Sequence, residues 1–257
     1  MTVHYRTIWL SDTHLGTKGC KAEELRDFLD SVDCDTLYLV GDIIDLWKFQ
    51  SGFYWPTLHN DIVKRVFNKA KQGTQVIYLP GNHDEPLKKH AGIHINGIDI
   101  ANDAIHETKD GRKFLVLHGD GFDSIVCNNK NLAYIGGEVY EVLLVLNRWL
   151  NTVRGLLGFE NHWSLSAFLK HKVKNIIQVL DNYQHILSLE AKKRQVDGII
   201  CGHIHHADIS ELEDGKLYCN TGDWVESCTA LVEDYSGNIS LIYWLEHYQT
   251  QSSKKAA

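Results

Sequence analysis

Five short clusters in this chain combine carboxylates, a carboxamide and imidazoles: Asp12-Thr13-His14, Gly41-Asp42 with Asp45 close behind, Gly81-Asn82-His83-Asp84, His118-Gly119-Asp120, and Gly202-His203-Ile204-His205. None offers a thiolate. Oxygen and imidazole donors of this mix suit Mn²⁺, Fe or Zn²⁺ rather than Cu(I) or an iron–sulfur cluster. His203 and His205 stand two residues apart, just after an apolar run. In an extended chain such side chains project to the same side and can aim at one point. Alone, the pair reads equally well as a solvated histidine turn, and one D-x-H is chance. Together the clusters offer more donors than one small ion takes. They suit two ions sharing a bridging carboxylate, about 3.5–4 Å apart, an arrangement that activates water and stabilises both oxygens of an in-line displacement at phosphorus.

Scattered clusters converge only if the elements before them run in parallel. Residues 5–11, 36–42, 75–84, 113–120, 197–206 and 216–223 read as strands, with helices over 21–31 and 57–72. Leu25, Phe28 and Leu29 line one face of the first helix, and Ile62, Val63, Val66 and Phe67 one face of the second. The opening βαβαβ rhythm predicts parallel strands with helical crossovers. Each of the five clusters follows a strand, and open α/β sheets bind ligands at the carboxyl ends of their strands. Ser236-Gly237-Asn238 between alternating apolar residues marks a closing hairpin.

Residues 123–195 break the rhythm and read as helical. Glu138, Glu141, Arg148 and Thr152 form a narrow polar stripe on an otherwise apolar stretch, and Leu169, Val173, Ile176, Leu180, Tyr183 and Leu187 form a seam. This segment has nine Lys or Arg against six Asp or Glu, a surplus of three in a chain of net charge −7, leaving −10 elsewhere. The acidic remainder argues against a protein that coats nucleic acid nonspecifically. Six dispersed cysteines without a CxxC pair read as reduced thiols, Cys201 and Cys219 as core residues. Neither a signal peptide nor a run of about 20 apolar residues is visible, so a cytoplasmic protein is expected. Residues 249–257 read as a disordered tail.

D-x-H, G-D-x-x-D, G-N-H-D, H-G-D and G-H-x-H, in this order over residues 12–205, resemble the calcineurin-like metallophosphoesterases. The resemblance implies a four-layered α/β/β/α sandwich, with residues 1–122 and 196–248 as the core and 123–195 as a helical cap insertion. It implies two divalent ions, Mn²⁺ foremost. Asp12, His14, Asp42 and His205 would hold one; Asp42, Asn82, His118 and His203 would hold the other. His83 would be the acid beside the leaving group, oriented by Asp45; a carboxylate-polarised histidine is a suitable proton donor near neutral pH. Asp84 and Asp120 are read as loop-fixing residues, His206 as a surface residue and Trp224 as packing near the site.

Protein Ser/Thr phosphatases of this superfamily read G-D-x-x-D-R-G, whereas Leu46-Trp47 follow Asp45 here, which disfavours a phosphoprotein substrate. The layout over roughly residues 5–245 is most similar to the UDP-2,3-diacylglucosamine hydrolases of lipid A synthesis, whose insertion receives acyl chains. That resemblance implies release of UMP from a nucleotide-diphosphate lipid at the inner membrane surface. Lys170 and Lys174, one helical turn apart on the apolar insertion, are placed to meet a phosphate and, with Asp123, are the substrate-binding candidates. The best-known branch reads G-N-R-D where this chain keeps His83. Two other readings stand beside it: a phosphodiesterase or nucleotide pyrophosphatase acting on another lipid-linked or soluble substrate, and a metal-binding scaffold without catalysis.

Overall fold

Neighbouring residues of the first strand face different layers. In β1 (Val3–Leu10), Ile8 and Leu10 pack toward helices while Trp9 faces a second sheet. The structure is a computed structural model that describes residues 2–123, 183–212 and 214–246. The same alternation recurs in β2 (Val32–Val40), where Leu37 and Leu39 face one way and Tyr38 and Val40 the other. It recurs again in β3 (Gln75–Leu79), with Val76 and Tyr78 opposed to Ile77 and Leu79. Period-two patterning with both faces apolar is what a sheet buried on both sides requires. Each fully buried side chain of this size contributes about 2 kcal/mol.

The helical face is supplied by α1 (Ala22–Ser31) and α3 (Thr57–Lys71). Ala22, Leu25, Phe28 and Leu29 of α1, and Ile62 and Val66 of α3, sit at helical spacing and join the core under the sheet. A short helix between them, α2 (Leu46–Ser51), is capped by Asp45, whose carboxylate accepts from Lys48 N at 2.9 Å.

Two sheets result. The first runs β12-β11-β1-β2-β3-β5-β4, with β4 His94–Ile95, β5 Ile98–Ile100, β11 Thr229–Glu233 and β12 Ile239–Tyr243. The second runs β6-β7-β8-β10-β9, with β6 Ala104–Glu107, β7 Lys113–Val116, β8 Gly198–Cys201, β9 Asp208–Glu211 and β10 Leu217–Asn220. Phe114, Val116, Ile200 and Cys219 of the second sheet meet Trp9, Tyr38, Val40 and Leu231 of the first. The fold is thus mixed α/β, with helices, one sheet and a second sheet stacked in that order. β1 is parallel to β2, β2 to β3, and β7 to β8.

The strands end earlier than the sequence predicts, although β1 and β2 also begin earlier and are longer than expected. β3 stops at Leu79 rather than 84, because Pro80 has no N–H and Gly81 N turns to the Asp84 carboxylate. β7 ends at Val116 and β8 at Cys201, so their histidines lie in loops. The hairpin falls where expected, between β11 and β12.

The chain divides into two compact units, Met1–Asp120 with Ser188–Ala257, and Gly121–Leu187. Of the expected cap, residues 124–182 lie outside the described residues, as do Lys170, Lys174 and the 249–257 tail. Among the described residues no helix is long and apolar enough to cross a membrane.

Glu233 ties strands together far from the five clusters. It is fully buried and accepts from Arg6 Nη1 at 2.6 and 2.7 Å, Thr7 Oγ1 at 2.8 Å, Lys109 N at 2.8 Å and His106 Nε2 at 2.9 Å. Burial opposes its charge, but these donors outweigh burial and hold its pKa at about 2, against an ordinary 4.5. Its contribution to stability is therefore complete above pH 4.5 and is withdrawn as pH falls toward 2. Glu233→Gln is expected to cost about 2 kcal/mol at neutral pH. Urea unfolding at stepped pH checks both points: the variant should lose stability less steeply than the parent across that acid window.

Candidate metal centre

Five loops deliver the chemistry, and each begins where a strand stops. Asp12 and His14 follow β1, Asp42 follows β2, Asn82 and His83 follow β3, His118 follows β7, and His203 and His205 follow β8. Asp12, His14, Asp42, His203 and His205 all adopt left-handed backbone angles, with φ of 51°, 47°, 53°, 71° and 53°. Non-glycine residues seldom do so without a local reason, and such strain gathers at functional sites.

The side chains converge in three groups close enough to hold an ion. Asp12, His14 and His205 form one, and Asp42, His118 and His203 a second; the third, His14, Asp45 and His83, shares His14 with the first. Asp12 Oδ1 is 3.2 Å from His205 Nε2 and 4.0 Å from His14 Nε2. Asp42 Oδ2 lies between the first two groups, 3.4 Å from His118 Nε2 and 4.0 Å from His14 Nε2. Asp42 Oδ1 accepts from His83 N at 2.8 Å.

Surrounding groups aim these ligands. His118 Nδ1 lies 2.9 Å from the Val40 carbonyl, which fixes its proton there and leaves the Nε2 lone pair for the centre. Asp12 Oδ2 accepts from His203 N at 3.0 Å and from Ser11 Oγ. Asp84 is buried and binds Ile43 N at 2.9 Å, Tyr78 Oη at 2.5 Å and Gly81 N, locking the Asp42 and Asn82 loops together.

The donors fit hard or borderline divalent cations. Asp12 Oδ1, His14 Nε2, Asn82 Oδ1 and His118 Nε2 are buried without a hydrogen-bond partner of proper geometry. Leaving such atoms unsatisfied costs about 1–3 kcal/mol each unless something coordinates them. Electrostatics agree. Burial disfavours charging His118, yet Asp42 lifts its pKa to about 10. Burial likewise opposes charging His205, and Asp12 lifts it to about 9. Burial pushes Asp42 up, but the histidines, His118 first, bring it down to about 2. Carboxylates so placed demand positive charge, which a divalent cation would supply in place of the imidazole protons.

Beside this centre, Asp45 is buried, and its Oδ2 lies 3.0 Å from His83 Nδ1 and 3.3 Å from His14 Nδ1. One oxygen thus orients two imidazoles. Burial opposes the Asp45 charge, but hydrogen bonds from His14, His83 and Lys48 N hold its pKa well below the carboxylate range. For His83 burial opposes charging, and Asp45 reverses it, raising the pKa. His83 Nε2 faces Asp42 Oδ2 at 3.9 Å.

A family model for calcineurin-like phosphoesterases matches residues 5–207.

The chain belongs to the calcineurin-like phosphoesterase family.

It is accordingly a metal-dependent phosphoester hydrolase. A UDP-2,3-diacylglucosamine hydrolase of Shewanella sp. (strain W3-18-1) is 26% identical over 240 residues, covering 88% of this chain and 92% of that one. One of Histophilus somni (strain 129Pt) is 22% identical, covering 91% and 97%. A solved archaeal phosphodiesterase aligns at 16% identity with a TM-score of 0.44, covering 92% of this chain and 98% of that one.

Within this phosphoesterase, sequence reasoning missed two residues at the site. The Trp47 ring lies on His83, with centroids 4.4 Å apart and planes at 34°. Asp223 is buried and accepts from Val225 N at 2.7 Å and Glu226 N at 2.5 Å, building the turn whose charge acts on His205. Asn220-Thr221-Gly222-Asp223 repeats the pattern of a strand followed by glycine and a carboxylate, which was its visible signal. Asp120 binds Lys88 Nζ at 2.6 Å, His206 is exposed, and Trp224 is fully buried. Asp123 is half-buried and falls in the Gly121–Leu187 unit.

Close packing leaves no room in the loops. A Cβ on Gly41 (φ +78°) would strike the His118 ring, and one on Gly81 would strike both Asp42 Oδ1 and that ring. Gly81→Ala is expected to cut kcat/KM by about 10²-fold through displaced ligands. Steady-state kinetics on a phosphodiester check this, with circular dichroism confirming the fold.

Proposed function

We propose that the chain is a dinuclear hydrolase that cleaves the pyrophosphate bond of UDP-2,3-diacylglucosamine, giving UMP and 2,3-diacylglucosamine 1-phosphate at the inner membrane surface. The observation that carries the dinuclear reading is Asp42 Oδ2, within 4.0 Å of imidazoles from both the Asp12 and the Asp42 group. The substrate reading is supported by the relatives named for that reaction, which match most of this chain.

Asp12, His14, Asp42 and His205 would hold one ion and Asp42, Asn82, His118 and His203 the other, Mn²⁺ being the preferred metal, with Fe or Zn²⁺ also suited to the donors. Two such ions would supply positive charge that polarises a phosphoryl group and acidifies the attacking water. The chain's own residues do the rest. Asp45 Oδ2 stands 3.3 Å from His14 Nδ1 and 3.0 Å from His83 Nδ1; with its proton on Nδ1, His14 presents an Nε2 lone pair, whereas His83, whose pKa is raised, presents Nε2–H as the imidazolium. Water attacks the α-phosphorus, the P–O bond to the sugar 1-phosphate breaks, and His83 gives its Nε2 proton to that leaving oxygen. Trp47 covers one face of the His83 ring and limits its contact with water.

The test is UMP release from UDP-2,3-diacylglucosamine with Mn²⁺ in detergent micelles. Turnover well above that of generic phosphodiesters is expected. Absent turnover alongside brisk hydrolysis of soluble phosphodiesters would overturn the substrate and leave the phosphoesterase standing.

A further inference from the structure

One buried histidine near the turn that carries His14 belongs to none of the candidate ion groups. His59 stands in the first turn of α3, is 2% exposed, and takes no part in the chemistry described above. Its Nδ1 accepts from Gly16 N at 3.1 Å. An N–H donor needs a lone pair opposite it, so this bond requires a neutral His59 with its proton on Nε2. The Trp55 and Tyr54 rings stand edge-on to the imidazole, at centroid distances of 5.4 and 5.9 Å. Burial also pulls the His59 pKa below the ordinary 6.5. The packing around His59 thus preserves the lone pair that Gly16 uses.

Gly16 lies two residues past His14. The amides around it go to different places. His14 N donates to Asp42 O and Leu15 N to Ile43 O, both at 2.9 Å, which ties the turn to the loop after β2. Thr17 N returns to His14 O at 3.1 Å and closes the turn on itself. The Gly16 bond reaches a third element, α3. Gly16 has a φ of +106°, and a Cβ there would stand 2.7 Å from the Phe49 ring, so the backbone has little room to drift on that side. His14 itself holds a left-handed φ of 47°. Such a conformation costs energy and persists only where its surroundings impose it. A ligand held this way depends on what restrains the chain on either side of it.

We propose that His59 is a positioning residue for the metal centre: its Nδ1 lone pair anchors the Gly16 N–H and so fixes the turn that aims His14 at an ion shared with Asp12 and His205. The inference rests on the reading of His14 as a ligand. It goes beyond that reading by giving α3, which contributes no ligand, a share in metal affinity. Partners that orient a ligand are worth about 10–100-fold in affinity.

The test is a calorimetric titration of the metal-free full chain with Mn²⁺, for the parent, His59→Leu, His59→Asn and His14→Ala. Asn can place its Oδ1 near the position of Nδ1 and so keeps an acceptor; Leu fills the space without one. His59→Leu should weaken one of the two binding steps about 10-fold or more while sparing the other, and His59→Asn should restore that step toward the parent. Unchanged binding in His59→Leu overturns the proposal. So does equal weakening by Leu and Asn in proteins that circular dichroism shows to be folded, which would reduce His59 to packing. If His59→Leu does not fold, nitrogen NMR of the parent decides: the Nε2–H tautomer with an unprotonated Nδ1 supports the anchor, and a proton on Nδ1 overturns it. A parent that binds no Mn²⁺, or His14→Ala that binds as the parent does, would sink the reading of His14 as a ligand. Loss in His14→Ala with none in His59→Leu would sink this inference alone.

Discussion

Asp42→Ala should reduce turnover of any phosphoester by on the order of 10⁴-fold or more. Its Oδ2 faces imidazoles of both the Asp12 and the Asp42 group, at 3.4 Å from His118 Nε2 and 4.0 Å from His14 Nε2. Its other oxygen holds the backbone N–H of His83 at 2.8 Å. Removing the carboxylate strips a shared anion from two ions and loosens the loop that carries the acid. Asp12 would remain near His205, so one group keeps its own carboxylate. The variant should therefore retain partial metal affinity while losing nearly all catalysis. Kinetics at saturating Mn²⁺ separates the two effects: activity restored by excess metal would mean Asp42 serves affinity alone.

His83→Ala is expected to lower kcat by about 10²–10⁴-fold while metal content stays near that of the parent. His83 belongs neither to the Asp12 group nor to the Asp42 group but to a third with His14 and Asp45, its Nδ1 3.0 Å from Asp45 Oδ2. A proton donor to the leaving oxygen matters least when that oxygen leaves easily. The loss should therefore shrink for substrates with acidic leaving groups such as p-nitrophenol. A uniform loss across leaving groups would point to a binding role instead. Asp45→Asn should give a broader defect, because the same oxygen also orients His14 at 3.3 Å. A non-catalytic scaffold predicts no change in either variant.

Much of the centre was legible because its parts are local. Short apolar runs ending in GD, GNHD, HGD or GHxH can be read one at a time, and the βαβαβ rhythm implies that the first three ends lie together. β1, β2 and β3 are indeed parallel. Other features depend on distant partners. α2 is six residues long and too short for periodicity to reveal. Asp45 was read as orienting His83; its second contact, with His14, joins residues 31 apart. Glu233 and Arg6 stand 227 residues apart, and no local pattern announces a buried carboxylate there. Strand ends were overextended because the histidine loops continue the strands' direction in sequence, while Pro80 and the Asp84 carboxylate turn the chain away in space. The left-handed angles at Asp12, His14, Asp42, His203 and His205 were equally hidden, since Asp and His, though enriched there among non-glycine residues, adopt that region only where tertiary contacts impose it.

Manganese stoichiometry tests the account most directly. Metal-free protein reconstituted with Mn²⁺, freed of excess and measured by elemental analysis should carry two ions per chain, with release of protons as His118 and His205 give up theirs. Asp42→Ala should hold fewer. A parent that takes up no metal, or one ion whose binding is indifferent to Asp42, would contradict it.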